Sequence, residues 1–75
     1  MEKTLGERRV RTGFNVSQDS EVDAFKVTTA RLIDLAETHR KGSDSEKIRL
    51  IALAQTHYED AAMWIVKALT YQPPQ

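Results

Sequence analysis

The sequence predicts an all-α chain: a short N-terminal arm or helix, then a long antiparallel helical hairpin. Three observations carry this. Apolar residues recur at spacings of three and four from Val22 onward, the period of a helix. A polar stretch, "THRKGSDS", interrupts them once and carries Gly42. Neither proline nor glycine occurs from Asp44 to Tyr71, and Pro73 and Pro74 follow. No run shows the alternation of a strand, and there is no internal repeat.

Residues 1–19 read as a basic arm or short helix. "TLGERR" suffices for one helical turn, while Gly6 and Gly13 argue against a long one. Lys3, Arg8, Arg9 and Arg11 stand against Glu2 and Glu7, a local excess of about two positive charges. The hairpin is expected over residues 20–72, leaving 73–75 as a tail. Its first helix spans about 20–41. Ser20 and Asp23 have capping-box spacing, and Glu21 and Asp23 suit the positive end of a helix dipole. Val22, Phe25, Thr29, Leu32, Ile33 and Ala36 form one stripe, which Leu35 widens. Basic residues and Gly42 end this helix. The second helix spans about 44–71, opened by a Ser43/Glu46 capping box. It would extend roughly 40 Å.

The second helix has more apolar surface than one partner covers. Ile51, Ala54, Tyr58, Ala61, Ile65 and Leu69 form one stripe, and Leu50, Leu53, Trp64 and Ala68 extend a second, rotated one. A helix apolar around most of its girth is buried on several sides. Either the arm folds back over the surplus or other copies cover it. A 75-residue chain buries a thin core, and association is one of the usual remedies. The other remedies are closed or unsupported. Without cysteine there is no disulfide, cysteine-based zinc site or thiol nucleophile. His39 and His57 lie far apart in the chain and make no metal site alone.

Charge balances, with 11 basic and 11 acidic residues, whereas a duplex DNA binder normally carries a basic excess. The start of the chain lacks the apolar centre of a signal peptide, and no stretch reaches the length of a membrane span. The chain reads as soluble and cytosolic.

No catalytic set emerges. Ser17, Ser20, Ser43 and Ser45 cluster where helices start and are explained by capping. His39 suits a helix C-terminus, and His57 reads as a packing residue. Glu59 and Asp60 are neighbours on a helix, so they point in different directions, as on a solvated face. A binding reading has more material. Arg8, Arg9 and Arg11 suit phosphates, which arginine holds bidentately. Phe14 follows Gly13 on an irregular segment. It either docks the arm or presents a ring on which a nucleobase stacks. Asn15 offers one donor and one acceptor to a base edge. Lys26 and Thr29 share a face of the first helix, and Arg49 and Thr56 share one on the second. Arg49 pairs either with Glu46 or with a phosphate.

The order of these residues resembles a known family. "RVRTGFN", a variable polar run, "VDAFK…LIDLAE", a glycine turn and "LIALAQTHYEDAAMWIVKAL" are similar to the helical-hairpin domain of phage anti-defence sponges. These are the anti-CBASS proteins that sequester cyclic nucleotides and the related anti-Thoeris sponge. The similarity runs roughly from Arg8 to Thr70, and its most specific piece is the frame "AxTHxExAxMWxVKA". The resemblance implies a hexamer of interlocked protomers acting in the cytoplasm of an infected bacterial host. It implies binding, without cleavage, of cyclic di- and trinucleotides, in some members in separate pockets, or of cyclic ADP-ribose isomers. It implies no enzyme activity and no cofactor. The implied ligand residues are Arg11, Phe14, Asn15, Lys26, Thr29, Arg49 and Thr56. Phe14 stands where a tyrosine can stand, keeping the stacking surface and losing a hydroxyl. Lys26 best matches the family's first-helix lysine, with Thr29 in its place if the register differs. Arg49 best matches the arginine of the trinucleotide pocket. Two other readings stay open: a small helical DNA-binding regulator or antitoxin with a basic arm, and a ligand-free structural oligomer in which Phe14 and Asn15 only dock the arm.

Overall fold

A computed structural model describes residues 2–14 and 19–74 of the chain. The described residues form helices and connections only: α1 (Leu5–Val10), α2 (Ser20–Glu37) and α3 (Ser45–Leu69). Each start has a chemical cause. At α1 a full capping box forms: Glu7 N donates to Thr4 Oγ1 at 3.1 Å and Thr4 N donates to Glu7 Oε1 at 2.8 Å. This box holds a helix of six residues, too short to persist by itself. Its end is unusual. Arg11 takes the left-handed conformation (φ 61°) that glycine or asparagine normally supplies.

The caps of the hairpin differ from the expected ones by one residue. Asp19, not Ser20, caps α2 and accepts from Glu21 N at 2.8 Å. Asp44, not Ser43, caps α3 and accepts from Lys47 N at 2.8 Å. Aspartate is as good an N-cap as serine, so adjacent candidates are not ranked by type. Ser43 instead closes the connection by donating to His39 O, and Glu46 pairs with Arg49. Helix α2 ends at Glu37, short of residue 41, because Thr38 donates its hydroxyl to Leu35 O and the chain tightens into turns. Gly42 takes the expected left-handed conformation (φ 77°). Helix α3 stops at Leu69, where Thr70 caps it through Val66 O.

Helices α2 and α3 pack as the antiparallel hairpin, and α1 lies mainly along α2. The buried side chains of α2 are Val22, Lys26, Ala30 and Ile33. Those of α3 are Gln55 and Ala62, with Tyr58 packed against the core. Gly6 allows α1 to approach α2: a Cβ there would stand 2.0 Å from Ala30 O. The Gly6 amide donates to Asp34 Oδ1 at 2.7 Å.

The expected α2 stripe therefore splits. Ile33 is fully buried, whereas Phe25 and Leu32 are about two-fifths exposed and Leu35 is 62% exposed. On α3, Leu50, Leu53 and Trp64 are likewise exposed. At about 100° per residue, Phe25 and Leu32 lie on the side of α2 away from α1. The Cα atoms span 52 × 30 × 12 Å, room for little more than one layer of helices. Among the described residues nothing fully covers Phe25, Leu32, Leu35, Leu50, Leu53 and Trp64. Among the described residues the arm packs back on the hairpin through Leu5 and Val10 and leaves these side chains exposed.

Gln55, fully buried at the centre of the hairpin, is satisfied on every side. Its Nε2 donates to Ile33 O at 3.1 Å and to Glu37 Oε1 at 2.9 Å, and its Oε1 accepts from Arg40 Nη2 at 2.7 Å. Arg40 Nε closes the loop on Glu37 at 3.0 Å. A buried amide in a thin core is tolerated only with such partners, and these partners also fix the register of the two helices. The Gln55 amide, then the Arg40 guanidinium, hold the Glu37 carboxyl below its ordinary range.

Candidate functional site

The C-terminal end of α1 and the turn after it face α2 and α3 across a pocket of about 300 Å³. Its floor is apolar: Val10 from α1, and Ala62, Met63 and Val66 from α3. Its rim carries Arg9, Arg11, Lys26 and Glu59, with the ring of Phe14. Three of the expected ligand residues, Arg11, Phe14 and Lys26, are thus brought together. Arg11 and Phe14 also line a second cleft on the far side of the turn, with Lys3 and Arg8.

Lys26 explains how the turn is held. Its stem is buried in the hairpin face, and its Nζ donates to Phe14 O and to Arg11 O, the latter at 3.4 Å. The ammonium thereby ties the turn after α1 to α2. The same turn is closed by Phe14 N donating to Arg11 O at 2.9 Å. Phe14 is half exposed. Its ring lies under two cations, with Arg11 Cζ 4.5 Å and Lys26 Nζ 5.5 Å from the centroid. Phe14 is thus tied to α2 through its carbonyl, while its ring stays half exposed at the pocket.

Arg9, on the α3-facing side of α1, donates from Nε to Glu59 Oε1 at 2.7 Å, and its Nη2 reaches Thr56 Oγ1 at 3.5 Å. Thr56 thus borders the pocket rim through Arg9. The other expected residues lie elsewhere. Thr29, half-buried on α2, donates to Phe25 O at 2.7 Å. Arg49 is bound bidentately by Glu46, at 2.6 and 2.8 Å, on the exposed surface of α3. That pairing lowers the Glu46 carboxyl and raises the Arg49 guanidinium from their ordinary values. Asn15 lies outside the described residues. His39 and His57 are exposed, and His57 is not a packing residue.

Arg9, a phosphate candidate by sequence, joins the pocket, as do Glu59 and the apolar Val10, Ala62, Met63 and Val66, which lie outside the expected ligand set. The solvated face expected for Glu59 is only partly found, since its side chain is about one-third exposed and lines the pocket. The signal for Glu59 is its place in the inward register, four residues after Gln55 and three before Ala62. Among the described residues no His, Cys, Asp and Glu group is placed to hold a metal ion, and no helix is long and apolar enough to cross a membrane.

An aromatic ring flanked by cations over an apolar floor suits a planar, anionic ligand. Comparison with known proteins bears on which. The family described as "Acb2/Tad1, hairpin domain" matches residues 6–70. Comparison with curated proteins and with solved structures gives no match. The chain belongs to the Acb2/Tad1 hairpin family, that of phage anti-CBASS and anti-Thoeris sponge proteins, which are binding proteins.

Proposed function

We propose that this member of the Acb2/Tad1 hairpin family binds cyclic oligonucleotide immune signals, cyclic di- or trinucleotides, and withholds them from CBASS effectors without cleaving them. The observation that most supports this is the convergence of the Phe14 ring with Arg11 and Lys26 over the apolar floor of one pocket. In this reading the ring stacks one base and the two cations neutralise phosphate, while Asn15 reads or braces the base edge. Arg49, with Thr56 seven residues on, would serve a second position for a trinucleotide, and Thr29 is the alternative to Lys26 on α2.

Sequestration requires a rigid site and no chemistry. The Lys26 staple, the Thr4–Glu7 box and the Gly6–Asp34 bond fix the turn before a ligand arrives. A second proposal concerns assembly. The open apolar face with Phe25, Leu50, Leu53 and Trp64 suits burial against further copies, as in a hexamer. The place of action is the cytoplasm of the infected host, where the signals are made.

Phe14→Ala tests the reading. Calorimetric titration with cyclic di- and trinucleotides should show affinity falling about 10- to 100-fold, the worth of one stacked base. Sedimentation should show the assembly unchanged. Undiminished binding by this variant overturns the stacking role.

A further inference from the structure

Glu59 is the feature of the pocket that phosphate binding does not use. A carboxylate is acceptor-only and repels anions, yet it stands on the rim with Arg9, Arg11 and Lys26. Its Oε1 accepts from Arg9 Nε at 2.7 Å. Its Oε2 accepts no hydrogen bond from another described residue. The side chain is about one-third exposed and lines the pocket. Arg9 restrains the carboxylate through one of its two oxygens.

We propose that Glu59 is a specificity-determining residue that accepts hydrogen bonds from the edge of the stacked base, and that it selects guanine over uracil. The inference rests on the cyclic-nucleotide reading above. Guanine presents two adjacent donors, its ring N–H and its exocyclic amino group, and one carboxylate can accept from both. Uracil presents two carbonyl oxygens and a single N–H on the corresponding edge. Those oxygens would face the lone pairs of Glu59, with one N–H where guanine supplies two donors. A site built to hydrogen-bond a donor rejects the analogue that lacks it more strongly than a merely apolar site does. The neighbouring cations still hold phosphate from either ligand, so affinity and selectivity reside in different residues.

Titration of the full chain with cyclic di-GMP and with cyclic di-UMP tests this. The wild type should bind the guanine ligand at least about tenfold more tightly, the factor supplied by one charge-assisted hydrogen bond. Glu59→Gln keeps the shape but donates as well as accepts. It should bring the two affinities within about threefold of each other, chiefly by weakening the guanine ligand. The Arg9–Glu59 pair is partly exposed, so the variant should fold, which far-UV circular dichroism checks. Equal binding of both ligands by the wild type overturns the inference and leaves sequestration standing. So does a guanine preference that Glu59→Gln retains. An equal loss of both ligands in Glu59→Gln also overturns it, since Glu59 would then act only by holding Arg9. Binding of neither ligand by the wild type overturns the inference together with the reading on which it rests.

Discussion

Gly6 and Ala30 touch where α1 crosses α2, with no room for a side chain: a Cβ on Gly6 would lie 2.0 Å from Ala30 O. The obstacle is backbone, so α1 would have to move. Gly6→Ala should therefore lift α1 off the hairpin and cost about 1–3 kcal/mol, as overpacking does. Helix α1 carries Arg9 and sets the place of Arg11 and Phe14, so ligand affinity should fall with it. Thermal melting and titration on the same sample check this. An unchanged melting temperature would contradict the tight approach.

Arg11 holds a left-handed conformation that costs a non-glycine residue on the order of 1 kcal/mol. Asparagine adopts it more readily. Arg11→Asn should leave the melting temperature unchanged or slightly raised, yet weaken nucleotide binding about tenfold by removing a charge. A strained residue at a binding pocket is expected to separate stability from function in this way. Parallel loss of both would assign Arg11 to structure alone.

Acid should loosen the hairpin through Glu37. Its carboxyl is held below the ordinary value by Gln55 and then by Arg40, so the folded state favours the ionised form. That stabilisation is complete above the unfolded value, about 4.3, and is lost as pH falls through the lower folded value. Melting temperatures of the wild type should fall as pH drops below about 4.3, with a shallower fall for Glu37→Gln. Superimposable pH profiles would remove Glu37 from the account.

The open face is tested by charge. Leu53→Glu and Trp64→Glu lie on exposed apolar positions of the hairpin. Each should leave the helical content of the protomer intact and reduce its assembly, read by light scattering after size-exclusion chromatography. Wild-type protein that is already a monomer would contradict the assembly proposal.

The hairpin was legible because its signals are local: helical spacing, one glycine turn and an unbroken second helix. The identity of the inward face is not local. Periodicity joined Phe25, Leu32 and Ile33 into one stripe, whereas the structure turns Lys26, Ala30 and Ile33 inward and leaves Phe25 and Leu32 outside. Two inward positions, Lys26 and Gln55, are polar, and the apolar pattern continues onto the open face, so apolarity alone does not mark the core here. The pocket was half legible. Phe14, Arg11 and Lys26 announce themselves by type and order. Arg9 and Glu59 come together only because α1 lies against the hairpin, a tertiary fact that no spacing within either segment contains.

Native mass spectrometry of the purified protein with a panel of cyclic dinucleotides, cyclic trinucleotides and cyclic ADP-ribose isomers tests the central claim most directly. It reads assembly and ligand in one spectrum. A multimer, a hexamer in this account, that retains an intact cyclic nucleotide at whole-number stoichiometry is the predicted result. A monomer or dimer that retains none of the panel would contradict sequestration and return the DNA-binding and scaffold readings to first place.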